Sequence, residues 1–369
     1  MSTKTNQAND TKVFQAKLAQ YKKLIDDDIA AYSKQIRQMT LQQYGANARL
    51  EIDAFLDILA RGGKRIRGGL VMMGYEMSGG SNQKMIIEAA RAIEMMHAYI
   101  LIIDDIQDRS ATRRGGPAAH KMLADYHRLH ELADTSEHFG ISIALNAAIS
   151  GAHSAQTILA NLDAPQDLRL SVISIANQTM AITAHGQTND IMNEVVAEVD
   201  PQNIERVLEW KTAHYSFLNP LHVGMVLAGA GCEATDAITD YAMHTGKAFQ
   251  ITDDILGIFG SEHESGKSPL DDIREGKRTV LTVYALDHAE KPDKNFLIQM
   301  LGNKNLNPAE FKRCKAILEE SGALKHSQKI AKQHVIDALE SLNKQHVDWS
   351  KEGIQFLRGL ATYLLNRTS

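Results

Sequence analysis

The chain has 369 residues but only two cysteines, Cys232 and Cys314. They form no CxxC pair and no histidines stand at ligand spacing, which argues against a disulfide scaffold or thiolate metal centre. Seven prolines and 25 glycines are few for this length, and Ala, Leu, Ile and Met dominate the apolar set. That balance favours helices over strands. No window approaches the ~20 apolar residues of a membrane span. The polar start, MSTKTNQANDTK, lacks the apolar segment of a signal peptide. A net charge of −5 speaks against a nucleic-acid partner. These absences predict a soluble, cytoplasmic protein with no transmembrane segment and no nucleic acid bound.

What the sequence does have is helical periodicity. Apolar residues recur at helix spacing over 14–38, 47–60, 84–107, 118–130, 138–160, 167–184, 202–228, 234–259, 278–288, 308–320, 327–344 and near 353–365. Convincing β-alternation with hairpin turns is missing. The breaks are short and glycine-marked, as in RGGKRIRGG (61–69) and RRGGP (113–117). No low-complexity linker, composition shift or repeat of fixed period marks a boundary. The expectation is a flexible polar tail over 1–12 and one all-α domain over 13–369.

Asp104, Asp105 and Asp108 form a DDxxD pattern directly after the apolar run IEMMHAYILII. On a helix, Asp104 and Asp108 lie one turn apart with Asp105 beside them. Like charges at that spacing repel, so something positive should compensate them. A second acidic pair, Asp253 and Asp254, also ends an apolar run, KAFQITDDILGIFG. Carboxylates without His or Cys suit Mg²⁺, which commonly bridges to substrate phosphates. The alternating loop of a calcium EF-hand is absent. Lys64, Arg65 and Arg67 lie in a glycine-rich loop, Arg113 and Arg114 follow the first acids, Lys211 and Thr212 sit mid-helix, and Lys267 and Lys277 follow the second acids. Singly, each cation reads as solvated surface; together they describe a diphosphate site, with arginine bidentate and lysine a point charge.

In order along the chain, GGKRIR (62–67), DDIQD with RRGGP (104–117), GQTND (186–190), KT (211–212), FQITDD (249–254) and GKSPLDDIREGKRT (266–279) resemble the motifs of the all-trans prenyl diphosphate synthases, or polyprenyl synthetases. The resemblance implies an all-α bundle of the isoprenoid synthase type around a deep central cavity, working as a homodimer. It implies Mg²⁺-dependent head-to-tail condensation of isopentenyl diphosphate with an allylic diphosphate (dimethylallyl, geranyl or farnesyl).

By the same resemblance, Asp104 and Asp108, with Asp105 alongside, would hold two Mg²⁺ ions on the allylic diphosphate, and Asp253, beside Asp254, would help hold a third. Arg113, Lys211, Thr212, Gln250 and Lys267 would contact that substrate, with Lys277 in the last motif. Lys64, Arg67, His97 and Arg114 would grip isopentenyl diphosphate. By its surroundings alone His97 reads as a packed core histidine. The chain departs from the family pattern in Gly257, where the fuller second motif has its third acid, in Gly68 for proline, in Leu270 for glycine and in Asn146 for aspartate.

The chemistry explains why acids end a greasy helix: the diphosphate and metal belong at the mouth of a pocket whose apolar wall holds the growing tail and excludes water. Ile100 lies one turn before Asp104, with Tyr99 beside it, and an isoprene unit matches the ~5.4 Å helical pitch. By resemblance, an aromatic at this place and a first motif without a two-residue insertion imply a short chain, geranylgeranyl before farnesyl diphosphate. A terpene cyclase has no use for GGKRIR. A non-catalytic subunit of a heteromeric longer-chain synthase would typically lose its acids, and a helical scaffold would not need them.

Overall fold

The computed structural model describes residues 2–260 and 268–365. Its described secondary structure is helical apart from one two-stranded antiparallel ribbon. The chain divides into two compact units, where its sequence reads as one domain. The N-terminal unit comprises Ala16–Ser174 and His222–Gly229; the C-terminal unit comprises Met1–Gln15, Ile175–Leu221 and Ala230–Ser369.

Helix α1 (Ser2–Ala60) is broken at Gly45, whose φ of +84° no helix accommodates. This break falls in the gap between the first two periodic stretches. Helices α2 (Ile66–Met77), α3 (Gln83–Gln107), α4 (Ala119–Leu129) and α5 (Ser136–Ala160) follow, then α6 (Gln166–Val195). The Asn82 side chain accepts from the Met85 N–H and starts α3. Met85, Ile86, Ala89, Ile93 and Met96 then recur at helical spacing and are buried, and α3 packs against α2 and α5. Gly68 and Gly69 at the start of α2 leave no room for a Cβ, which would lie 2.7 Å from Ile25 and Leu18 of α1 respectively.

In the C-terminal unit, α7 (Pro201–Arg206) runs into a π-helical stretch, π1 (Val207–Leu218); α8 (Asn219–Leu227) follows, and from His222 on it belongs to the N-terminal unit. The sequence reads as one uninterrupted helix there, because the apolar spacing does not register the wider turn. After α9 (Cys232–Ala237), α10 (Thr239–Phe259) packs against π1 and against α15 (Ala323–Lys344). Short helices α11 (Asp271–Glu275), α12 (Val280–His288), α13 (Lys291–Met300) and α14 (Pro308–Glu320) close over Ile258, Ile273, Leu281, Leu297 and Leu318. The stretch read as a flexible tail is helical from Ser2. It is seated on α16 (Lys351–Leu365): Gly359 admits the Asp10 backbone, and the Phe14 ring stacks edge-on against Phe356 at 5.0 Å.

Candidate active site

One face of α3 carries His97, Ile100 and Asp104 at successive turns, all half-buried, while Met95, Met96, Ala98 and Ile102 turn inward. Asp105 is fully buried. Its partner is Arg113, the compensating charge the sequence calls for: Nε donates to Asp105 Oδ1 at 2.8 Å, one Nη donates to the same oxygen, and that Nη reaches Asp104 Oδ2 at 3.2 Å. Burial disfavours the Arg113 cation, but Asp105, Asp104 and Asp108 outweigh it and hold its pKa above the ordinary value.

A small hairpin presents Arg113. Strand β1 (Thr112–Arg113) pairs with β2 (Gly116–Pro117), and the turn residues Arg114 and Gly115 have φ of +50° and +74°. A tight turn with both central residues left-handed matches the twist of a two-stranded ribbon. Arg61 fastens it, donating to the carbonyls of Arg113 (3.0 Å) and Pro117 (2.7 Å). A side chain at Gly116 would stand 2.6 Å from that guanidinium.

Next to the hairpin, Arg67 and Arg114 converge on His97 Nε2 at 3.2 and 3.1 Å. Guanidinium groups only donate, so Nε2 accepts and the ring proton belongs on Nδ1. Burial and the charges of Arg67 and Arg114 keep the His97 pKa well below the usual value, so the ring is neutral. Arg114 is pushed down to about 10 by burial, relieved in part by Glu94 and compounded by Arg65, Arg67 and Arg113. A bound anion would relieve that stress. Lys64 is exposed in the same loop. Arg65, by contrast, turns inward with φ +53° and donates to Asp26, Glu94 and the Leu59 carbonyl; it builds the loop and is unavailable to a ligand.

The C-terminal unit holds the other motifs. Gly186 of α6 and Gly246 of α10 lie against π1, where a Cβ would be 2.4 Å from Lys211 N and Ala213 Cα. These close approaches fix Lys211 and Thr212. Lys211 Nζ donates to Asp190 Oδ2 at 2.5 Å, and Thr212 Oγ1 donates to Gln250 Oε1 at 2.6 Å. Gln250 Nε2 then donates to Asp254 Oδ1 at 2.7 Å. Asp190, Lys211, Gln250, Asp254 and Lys277 line one pocket. Burial raises the Asp254 pKa to about 7; Gln250 and Lys277 work against the rise, and Asp272 and Asp190 add to it. Lys277 pairs with Glu275 at 3.1 Å, Asp253 is half-buried on α10, and Lys267 lies outside the described residues.

Asp190 and Asp272 belong with these groups although the sequence reading assigned them no role; both stood in quoted motifs, GQTND and GKSPLDDIREGKRT. Asp272 also bears on the missing third acid of the second motif. A Cβ at Gly257 would stand 2.0 Å from Asp272 Oδ2, so the carboxylate of α11 fills the space beside the glycine.

The donor chemistry fits a hard divalent cation. Asp104 and Asp108 supply oxygens one turn apart with no sulfur or imidazole among them, and a cation beside Asp254 would offset what burial costs its charge. Magnesium is typically held by one or two carboxylates plus substrate phosphate, so a closed protein cage is not required.

A protein-family model described as Polyprenyl synthetase matches residues 50–318. The chain is 30% identical to a geranylgeranyl diphosphate synthase of Saccharolobus solfataricus, over 85% of this chain and 90% of that one. It is 29% identical to a geranylfarnesyl diphosphate synthase of Aeropyrum pernix, over 85% and 93%. Among solved structures, a geranylgeranyl pyrophosphate synthase from Corynebacterium glutamicum, complexed with isoprenyl diphosphate and magnesium, superposes with a TM-score of 0.90 at 28% identity, covering 95% of this chain and 99% of that one.

Proposed function

The chain belongs to the polyprenyl synthetase family and is a prenyltransferase, and from that premise we propose that it condenses isopentenyl diphosphate with an allylic diphosphate to give geranylgeranyl diphosphate. The observation that carries the two-substrate reading is the meeting of Arg67 and Arg114 on a neutral His97. An enzyme that only ionises one allylic diphosphate has no need of a second cationic cradle beside its acids. Lys64 adds an exposed charge to that cradle, which takes isopentenyl diphosphate.

The allylic substrate meets other groups. Asp104 and Asp108, and Asp253 with Asp254, are the residues that would hold Mg²⁺. When bound, the metal neutralises charge on the departing diphosphate. Arg113 is locked by Asp105 and directs its remaining donors without reorganising as charge develops. Lys211 and the Thr212–Gln250–Asp254 chain present donors in the C-terminal unit's pocket, with Lys277 on its wall. The half-buried face of α3 around Ile100 keeps water from the cation.

Purified chain alone, given Mg²⁺, isopentenyl diphosphate and an allylic diphosphate, should release pyrophosphate. No release from the folded chain would sink the reading and favour a subunit that needs a partner. Arg67→Ala should raise the KM for isopentenyl diphosphate about 100-fold, the effect of removing a charge-assisted bidentate contact of nearly 3 kcal/mol. The KM for the allylic partner should change little, and equal effects on both would contradict the division.

Product length is assigned to Tyr99. Burial raises its hydroxyl pKa to about 12, so the phenol stays neutral, and it lies one position before Ile100 on α3. A ring there acts as the floor under the tail, which supports geranylgeranyl over the longer product named for the Aeropyrum relative; farnesyl diphosphate is the alternative. Tyr99→Ala should move chromatographed products to longer chains without abolishing turnover. An unchanged distribution would assign the floor to other residues.

A further inference from the structure

Helices α10 and α15 carry a cluster that none of the roles above uses. His334 and Asp337 stand one turn apart on α15, and His244 faces them from α10. The Nδ1 atoms of His244 and His334 are 2.9 Å apart. One ligand atom from each of His244, His334 and Asp337 lies within 4.8 Å of the others; among the described residues this is the one such trio of His, Cys, Asp or Glu.

We propose that His244, His334 and Asp337 bind a divalent transition-metal ion of the zinc type, separate from any Mg²⁺ held by the aspartate motifs. The donor set decides the metal class. Two imidazoles and one carboxylate favour Zn²⁺, Co²⁺ or Ni²⁺, whereas Mg²⁺ and Ca²⁺ prefer all-oxygen surroundings. Tetrahedral bonds of ~2.0–2.1 Å place two ligand nitrogens ~3.4 Å apart. The observed 2.9 Å therefore needs to open by only about half an ångström, within ordinary side-chain adjustment. Three protein ligands leave the fourth position to water.

The surroundings hold the ligands ready. Gln333 Nε2 donates to Asp337 Oδ1 at 2.9 Å and orients the carboxylate. Burial, together with His244 and Lys247, lowers the His334 pKa, against the pull of Glu205 and Asp337. Lys247 is itself engaged by Glu205 and by Glu209, the latter at 3.2 Å, so its charge is not left bare beside the site. Without an ion, the two rings share one N–H···N hydrogen bond; an ion takes the place of that proton, and the donor ring carries its proton on Nε2 instead. Bound there, it would fasten α15 to the helix that carries Gln250 and Asp254.

The test is a Co²⁺ titration of the full chain in excess Mg²⁺, so that the aspartate positions are filled. One equivalent should bind with the visible absorption of tetrahedral Co²⁺ and be displaced by Zn²⁺. His244→Ala and His334→Ala should each weaken binding at least about 100-fold, and Asp337→Asn, which keeps its shape, should weaken it too. Zinc at about 100 times its Kd should raise the wild-type melting temperature by about 3 °C and leave the His334→Gln melting temperature unmoved. Turnover with Mg²⁺ should be unchanged in these variants. Undiminished cobalt binding in the histidine variants, or no binding by the wild type, overturns the proposal; in the second case the pair is a hydrogen bond and no more.

Discussion

Replacing Asp104 by alanine should lower turnover about 10³-fold or more, the scale of removing one preorganised electrostatic stabiliser at a charge-developing centre, and should leave the fold intact. Asp104 is half-buried and lies 3.2 Å from an Nη of Arg113, a guanidinium that pairs more closely with Asp105. Losing Asp104 therefore leaves Arg113 its pairing with Asp105. Asp105→Ala provides the opposite case. Its carboxylate is fully buried and takes both Nε and Nη of Arg113. Removing it leaves the buried Arg113 cation only the weaker pull of Asp104 and Asp108, which costs up to about 3–5 kcal/mol. Melting temperature and pyrophosphate release, measured on both variants, should thus separate: activity lost with stability kept at position 104, and both lost at position 105. A folded Asp104→Ala enzyme with near-native turnover would falsify the assignment of the metal-facing acid.

The motif acids were legible because their message is local. A DDxxD at the end of an apolar run needs only helical spacing to put Asp104 and Asp108 on one face, and α3 delivers it. Helix α14, too, was readable to the residue, since Asn307 and Glu310 form a capping box around Pro308. Helix α2 was not. Ile66, Gly68 to Tyr75 and Met77 are buried all round, so it shows no polar face and no period. Helix α13 is short and was missed for want of enough turns to establish one. Harder still are roles fixed by tertiary contact. Nothing in GGKRIR says that Arg65 points inward while Arg67 meets His97, because the difference lies in one left-handed φ and in acids 29 and 39 positions away. Likewise, Asp272 beside Gly257 joins two motifs that read as separate.

The buried pair behind that loop should be worth more than any surface ion pair in the molecule. Arg65 and Glu94 are each 2% exposed and meet at 3.1 Å, and the second Glu94 oxygen accepts the Gly68 N–H at 2.9 Å. A proline at position 68, where the family pattern has one, has no N–H to give; this chain uses the freed donor to fix Glu94 instead. Glu94→Ala should cost about 3–5 kcal/mol in urea unfolding, because it leaves Arg65 short of a buried counter-charge and Gly68 without an acceptor. Glu94→Gln should cost less, since an amide oxygen still serves Gly68. A double-mutant cycle with Arg65→Met should return a coupling of about 1–3 kcal/mol. The functional signature follows from the geometry: Arg65 holds its left-handed turn only while its donors are engaged, and the adjacent Lys64 and Arg67 ride on that turn. Glu94→Gln, folded and assayed well below its melting temperature, should therefore show a raised KM for isopentenyl diphosphate with the allylic KM preserved. If both constants stay at wild-type values, the loop is held by Asp26 and the Leu59 carbonyl alone, and Glu94 contributes stability without setting the cradle.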